Sequence, residues 1–133
     1  MTQPQASPAE QSFIKAIRLL NTPDGGCIFE TGRLPTGTHL AVSYCFAGTH
    51  DDNEHLPHPA PRTQYVVTIK GKLRFMVSNG DTFIIEPGVI LIAKDVKGPG
   101  HTWDLIEGET WERLYLPFVP EADDQFIPDN PNA

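Results

Sequence analysis

An all-β fold, an antiparallel sandwich or barrel, is what this sequence predicts, and three observations predict it. Short segments alternate apolar and polar residues. Turn dipeptides separate those segments at roughly 8–12-residue spacing. Proline and glycine, 13 and 11 of 133 residues, are too frequent for long helices and suit short strands joined by turns.

The elements follow in order. Residues 1–12 read as a flexible arm, with Ser7-Pro-Ala-Glu10 resembling a capping box. FIKAIRLL (13–20) fits either a short helix or an edge strand, and helical spacing fits somewhat better. After Asp24-Gly25-Gly26, GCIFE (26–30) reads as a strand, and so does LAVSYCF (40–46). The stretch 48–62, rich in histidine, acid and proline, reads as a long loop, and a long loop in a compact domain usually carries function. QYVVTI (64–69), a turn at Lys70-Gly71, KLRFMVS (72–78), Asn79-Gly80, DTFIIE (81–86), Pro87-Gly88 and VILIA (89–93) make a run of strands and turns. KDVKGPG (94–100) is a glycine-rich loop. HTWDLI (101–106), a turn at Glu107-Gly108 and TWERLYLPF (110–118) complete about eight strands. The domain thus covers 13–120. An acidic, proline-rich tail, 121–133, either wraps the surface or stays disordered.

Charge and composition exclude several function classes. The formal charge is −7, so neither nucleic acid nor an anionic membrane is an expected partner. No apolar stretch approaches the ~20 residues of a membrane-spanning helix. The polar start, MTQPQASPAEQ, does not read as a signal peptide. Two cysteines, Cys27 and Cys45, make no disulfide framework. A reducing, cytoplasmic setting and two buried thiols are expected. Phosphate-binding loops, nucleophile elbows and C-x-x-C pairs are absent from the sequence.

The informative residues are His58-Pro-Ala60-Pro-Arg62-Thr-Gln64, then Gly71 after six intervening residues, and Pro87-Gly88 followed by Gly98-Pro-Gly-His101. Over about residues 55–118 this resembles the cupin superfamily, whose motifs read G-x5-H-x-H-x3-4-E-x6-G and G-x5-P-x-G-x2-H-x3-N. It is also similar to small single-domain cupins carrying H-x-A-P-R-x-Q segments. The resemblance implies a jelly-roll barrel of two antiparallel sheets. It puts His58 and His101 at two metal-ligand positions and Gln64 at the glutamate position. Ala60 replaces the second histidine and Leu105 the terminal asparagine.

Imidazoles suit zinc, iron, manganese and nickel, so a divalent metal on His58, Gln64 and His101 is the expected cofactor. His55, in the loop, is the expected proton-moving residue. Tyr44, Arg62 and Trp103 are the expected pocket residues, with Arg62 suited to a substrate carboxylate. The implied function is a metal-dependent enzyme acting on a small organic molecule, of oxygenase, isomerase, cyclase or lyase type. Two alternatives stand beside it: a metal-free binding or sensing module, and a metal-free isomerase using histidine as acid and base. Family likeness also implies a homodimer.

Overall fold

The structure, a computed structural model, describes residues 12–49 and 56–130. It contains eight strands: β1 (Phe13–Asn21), β2 (Cys27–Pro35), β3 (Phe46–Gly48), β4 (Gln64–Val77), β5 (Thr82–Ile85), β6 (Val89–Ala93), β7 (His101–Pro117) and β8 (Ile127–Pro128). Among the described residues there is no helix, and so none long and apolar enough to cross a membrane. The all-β expectation therefore holds.

The order across the sheet is β3-β7-β4-β6-β1-β2-β8, with β5 paired to β4 off this path. The sheet is mixed and ends on β3 and β8 without closing. That corrects the purely antiparallel expectation. The cause is β1, which runs antiparallel to β2 and parallel to β6. FIKAIRLL is therefore neither a helix nor an edge. Ala16 faces one apolar cluster, while Ile17 and Leu19 face another. A strand buried on both faces loses its polar–apolar alternation, and its continuous apolar run then imitates helical spacing.

Two expected turns are interruptions inside long strands. Lys70-Gly71 lies within β4 and Glu107-Gly108 within β7, and the register between the two strands shifts between Thr68 and Leu73. Gly71 has φ +107°, and a Cβ there would come 2.7 Å from the Thr110 carbonyl. These are bulges, which bend a strand without reversing it. The bend gives the β4–β7 pair two sets of neighbours. Gln64–Val67 pair with β6, and Leu73–Met76 pair with β5. LAVSYCF is mostly irregular: it forms one bridge, Val42 to Phe118, before β3 pairs with β7.

The larger core, which includes Val66, Phe75, Leu91, Trp103 and Trp111, lies on one face of the sheet. The smaller, around Ala16, Tyr65, Ile92 and Phe126, lies on the other face. Phe126 belongs to the tail, whose residues 121–130 pack onto the sheet. β8 pairs with β2 at Gly32, where a Cβ would meet the Phe126 ring at 2.4 Å.

Candidate functional site

The site starts at the head of β7. Gly98-Pro99-Gly100 leads into His101, and Gly100 has φ +72°, with a virtual Cβ 2.0 Å from the His58 carbonyl. Only glycine allows the 56–61 segment to cross that close. His58 and His101 exchange both backbone hydrogen bonds, each at 3.0 Å. An antiparallel hydrogen-bonded pair points both side chains to one face, and the two rings lie 5.2 Å apart, centroid to centroid.

Each ring is anchored through Nδ1. His58 Nδ1 lies 3.1 Å from the Pro59 carbonyl. A carbonyl only accepts, so Nδ1 carries the hydrogen and Nε2 carries the lone pair. That Nε2 is buried and has no hydrogen-bond partner among the described residues. His101 Nδ1 lies 2.5 Å from Asp95 Oδ2, the short separation of a charge-assisted bond. Asp95 is fully buried, so His101 is left with Nε2 for anything in the cavity.

Asp95 also accepts from the Cys27 thiol, with Sγ to Oδ2 at 3.4 Å. Burial, then the charge of Asp95, pushes that thiol up to about 12. Its Oδ1 has no partner among the described residues. Cys27, Asp95 and His101 lie close enough together to hold a metal ion. The expectation of two buried thiols is half right: Cys27 is buried and Cys45 is exposed, because it leads into the edge strand β3.

A cavity of about 500 Å³ opens over the two histidines. His58, Arg62, Gln64, His101 and Trp103 all line it, as do Trp111 and Tyr115. Gln64 is 3% exposed, and its Oε1 accepts from Arg62 NH1 at 3.1 Å. The Arg62 guanidinium lies 5.7 Å from the centre of the Phe46 ring. Tyr44 stands outside the cavity wall, exposed and stacked on Phe46 at 5.9 Å. His55 lies outside the described residues.

Sequence reasoning missed Asp95, Cys27 and Trp111. Asp95 had a usable signal: an acid six residues before a candidate histidine, in a loop able to fold back beneath it. A histidine that works as ligand or base needs such a partner to hold its tautomer. No family model matches the chain, and no curated protein matches it.

Proposed function

We propose that the chain is a cupin-type, metal-dependent enzyme acting on a small organic molecule, with His58 and His101 as its metal ligands. One observation carries this reading. Both imidazoles are tied through Nδ1, to the Pro59 carbonyl and to Asp95, and the freed His58 Nε2 is buried with no hydrogen-bond partner among the described residues. Metal-binding histidines are oriented in this way, and a bare buried nitrogen costs free energy unless something binds it. A divalent ion bound there would supply Lewis acidity toward a substrate oxygen, or activate water or dioxygen.

Gln64 fits this ion poorly. Its one ligating atom already accepts from a guanidinium, and a second cation on that oxygen would be repelled. Gln64 and Arg62 are better placed to bind and orient substrate. Trp103, Trp111 and Phe75 exclude water from the reacting side. Asp95 keeps the hydrogen of His101 on Nδ1.

The Cys27–Asp95–His101 cluster supports a second metal reading. One feature weighs against it: the 2.5 Å Nδ1–Oδ2 separation is that of a shared proton, so those two atoms are already engaged with each other. The same short bond favours a metal-free alternative, with His101 as acid and base oriented by Asp95.

Metal analysis of untagged protein, purified without a nickel column, tests the proposal. About one divalent ion per chain is expected, falling to background in His58→Ala and His101→Ala. Folded wild-type protein that contains no metal and takes none up on incubation would remove the metal reading and leave the acid–base one.

A further inference from the structure

We infer that the cavity takes a small carboxylic acid with a flat, apolar body, and that Arg62 binds its carboxylate. This rests on the reading that the cavity is the substrate site, but not on the metal. Charge is the first ground. The chain carries −7, yet among the described residues no Asp or Glu lines the cavity, and Arg62 is the one Lys or Arg that does. Its NH1 donates to Gln64 Oε1 at 3.1 Å, and its guanidinium rests over Phe46 at 5.7 Å. An amide dipole and a ring face hold the group in place without neutralising it. Among the described residues Arg62 takes part in no ion pair. A half-buried guanidinium with spare donors matches a carboxylate, which it can bind through two parallel hydrogen bonds.

The neighbouring groove does not compete for this role. Arg62 also lines that groove, of about 640 Å³, together with Lys94 and Glu121. There Lys94 is bonded to Asp124 at 3.1 Å, and Glu121 contributes an anion. The uncompensated positive charge therefore belongs to the cavity side.

Shape is the second ground. The walls are aromatic, and their rings meet edge-on: Trp103 against Trp111 at 5.0 Å and 64°, and Phe75 against Trp111 at 5.7 Å and 85°. One face of Trp111 lies under Arg113 and Phe75 stacks on Phe83, and the remaining wall is an aromatic, apolar surface that suits a flat apolar partner. A volume of about 500 Å³ lies within the usual range for small-molecule sites.

The chain's two tryptophans both line the cavity, so their indole N–H signals in a proton–nitrogen correlation spectrum report its occupancy. The probes are 2-naphthoate and its uncharged analogue 2-naphthamide, titrated into the full-length protein with and without EDTA. Naphthoate is expected to move the indole signals and to bind about tenfold or more tighter than the amide, the size of a hydrogen bond to a charged group. This preference should persist in EDTA and disappear in Arg62→Met, because naphthoate loses affinity there and naphthamide loses far less. Equal binding of the two probes to wild type overturns the inference. So does a preference lost in EDTA, which would belong to the metal, or one retained in Arg62→Met. Shifts confined to the backbone signals of Ser43 and Thr63, in the groove, overturn it too, as does no shift at millimolar probe. The wild-type comparison decides even if Arg62→Met does not fold. Because the EDTA arm is metal-free, its failure is distinct from failure of the metal assignment.

Discussion

A carboxylate behind an imidazole does two things: it fixes which ring nitrogen carries the hydrogen, and it makes the other nitrogen a better donor of its lone pair. Asp95 stands in that relation to His101. Replacing it with Asn keeps an oxygen but removes the charge. Asp95→Asn is therefore expected to weaken divalent-ion binding about 10–100-fold, as read by isothermal titration, with the fold intact by circular dichroism. The two cysteines offer a simpler check. Cys45 is exposed, and the Cys27 thiol is buried and pushed up to about 12. An aromatic disulfide reagent at pH 8 should release one equivalent of thiol quickly from the native protein, and a second only in denaturant. Two fast equivalents would show that the Cys27 pocket is open. That His58, His101 and Gln64 meet in one cavity was expected from their resemblance to the cupin motifs. Asp95 was missed, although its place in the loop six residues before His101 was a signal. Alternation predicts facing only inside a strand, and Asp95 is turned inward by a loop that folds back on glycines at 98 and 100.

Glycine in a strand pattern signals positive φ, which occurs in a bulge as readily as in a reversal. Lys70-Gly71 and Glu107-Gly108 read as turns for that reason, although each strand continues through without reversing. What distinguishes Lys70-Gly71 from Asn79-Gly80 is what surrounds the glycine. A Cβ on Gly71 would meet the Thr110 carbonyl at 2.7 Å, whereas one on Gly80 would meet nothing within 4 Å. Both have positive φ, which costs an L-residue about 1–2 kcal/mol. Gly80→Ala should lose about that much stability, and Gly71→Ala clearly more, because the partner strand must also move. Urea denaturation of the two variants checks this. Equal losses would mean that the bulge relaxes freely. β1 was misread for a different reason: burial on both faces is a property of the assembled sheet, and a single segment cannot show which strands will flank it.

At the scale of the whole molecule, the tail is fastened by charge. Asp124 is buried and accepts from Arg18 NH1 at 2.9 Å, from Lys94 at 3.1 Å and from the Phe126 amide at 2.9 Å. Burial works to raise its pKa, but the Phe126 amide, Arg18 and Lys94 outweigh it and hold the carboxyl below its ordinary 3.8. A carboxyl depressed in the folded state contributes stability that is fully present above its unfolded pKa and lost as pH falls through the folded one. Wild type should thus lose stability on acidification below about pH 4. Asp124→Asn should be less stable at pH 7, by about 3 kcal/mol, and should show a shallower loss between pH 4 and 2. Chemical denaturation across that range measures both. Parallel curves for the two proteins would mean that Asp124 is not the clasp. The acidic, proline-rich composition of the tail left open whether it wraps the surface or stays disordered. Its docking depends on Arg18 and Lys94, far away in sequence, and on the missing Cβ of Gly32, none of which composition reveals.

Metal uptake by the intact chain tests the central assignment most directly. Metal-stripped wild type, His58→Ala, His101→Ala, Cys27→Ala and Gln64→Ala would each be titrated with Zn²⁺, Mn²⁺, Fe²⁺ (anaerobically) and Ni²⁺ in a calorimeter. The predicted result is one site per chain in wild type for at least one of these ions. Affinity should fall at least a hundredfold in each histidine variant, since a neutral imidazole ligand is lost, and should be nearly unchanged in Cys27→Ala and Gln64→Ala. No uptake by wild type, or uptake that survives His58→Ala but is lost in Cys27→Ala, would contradict it.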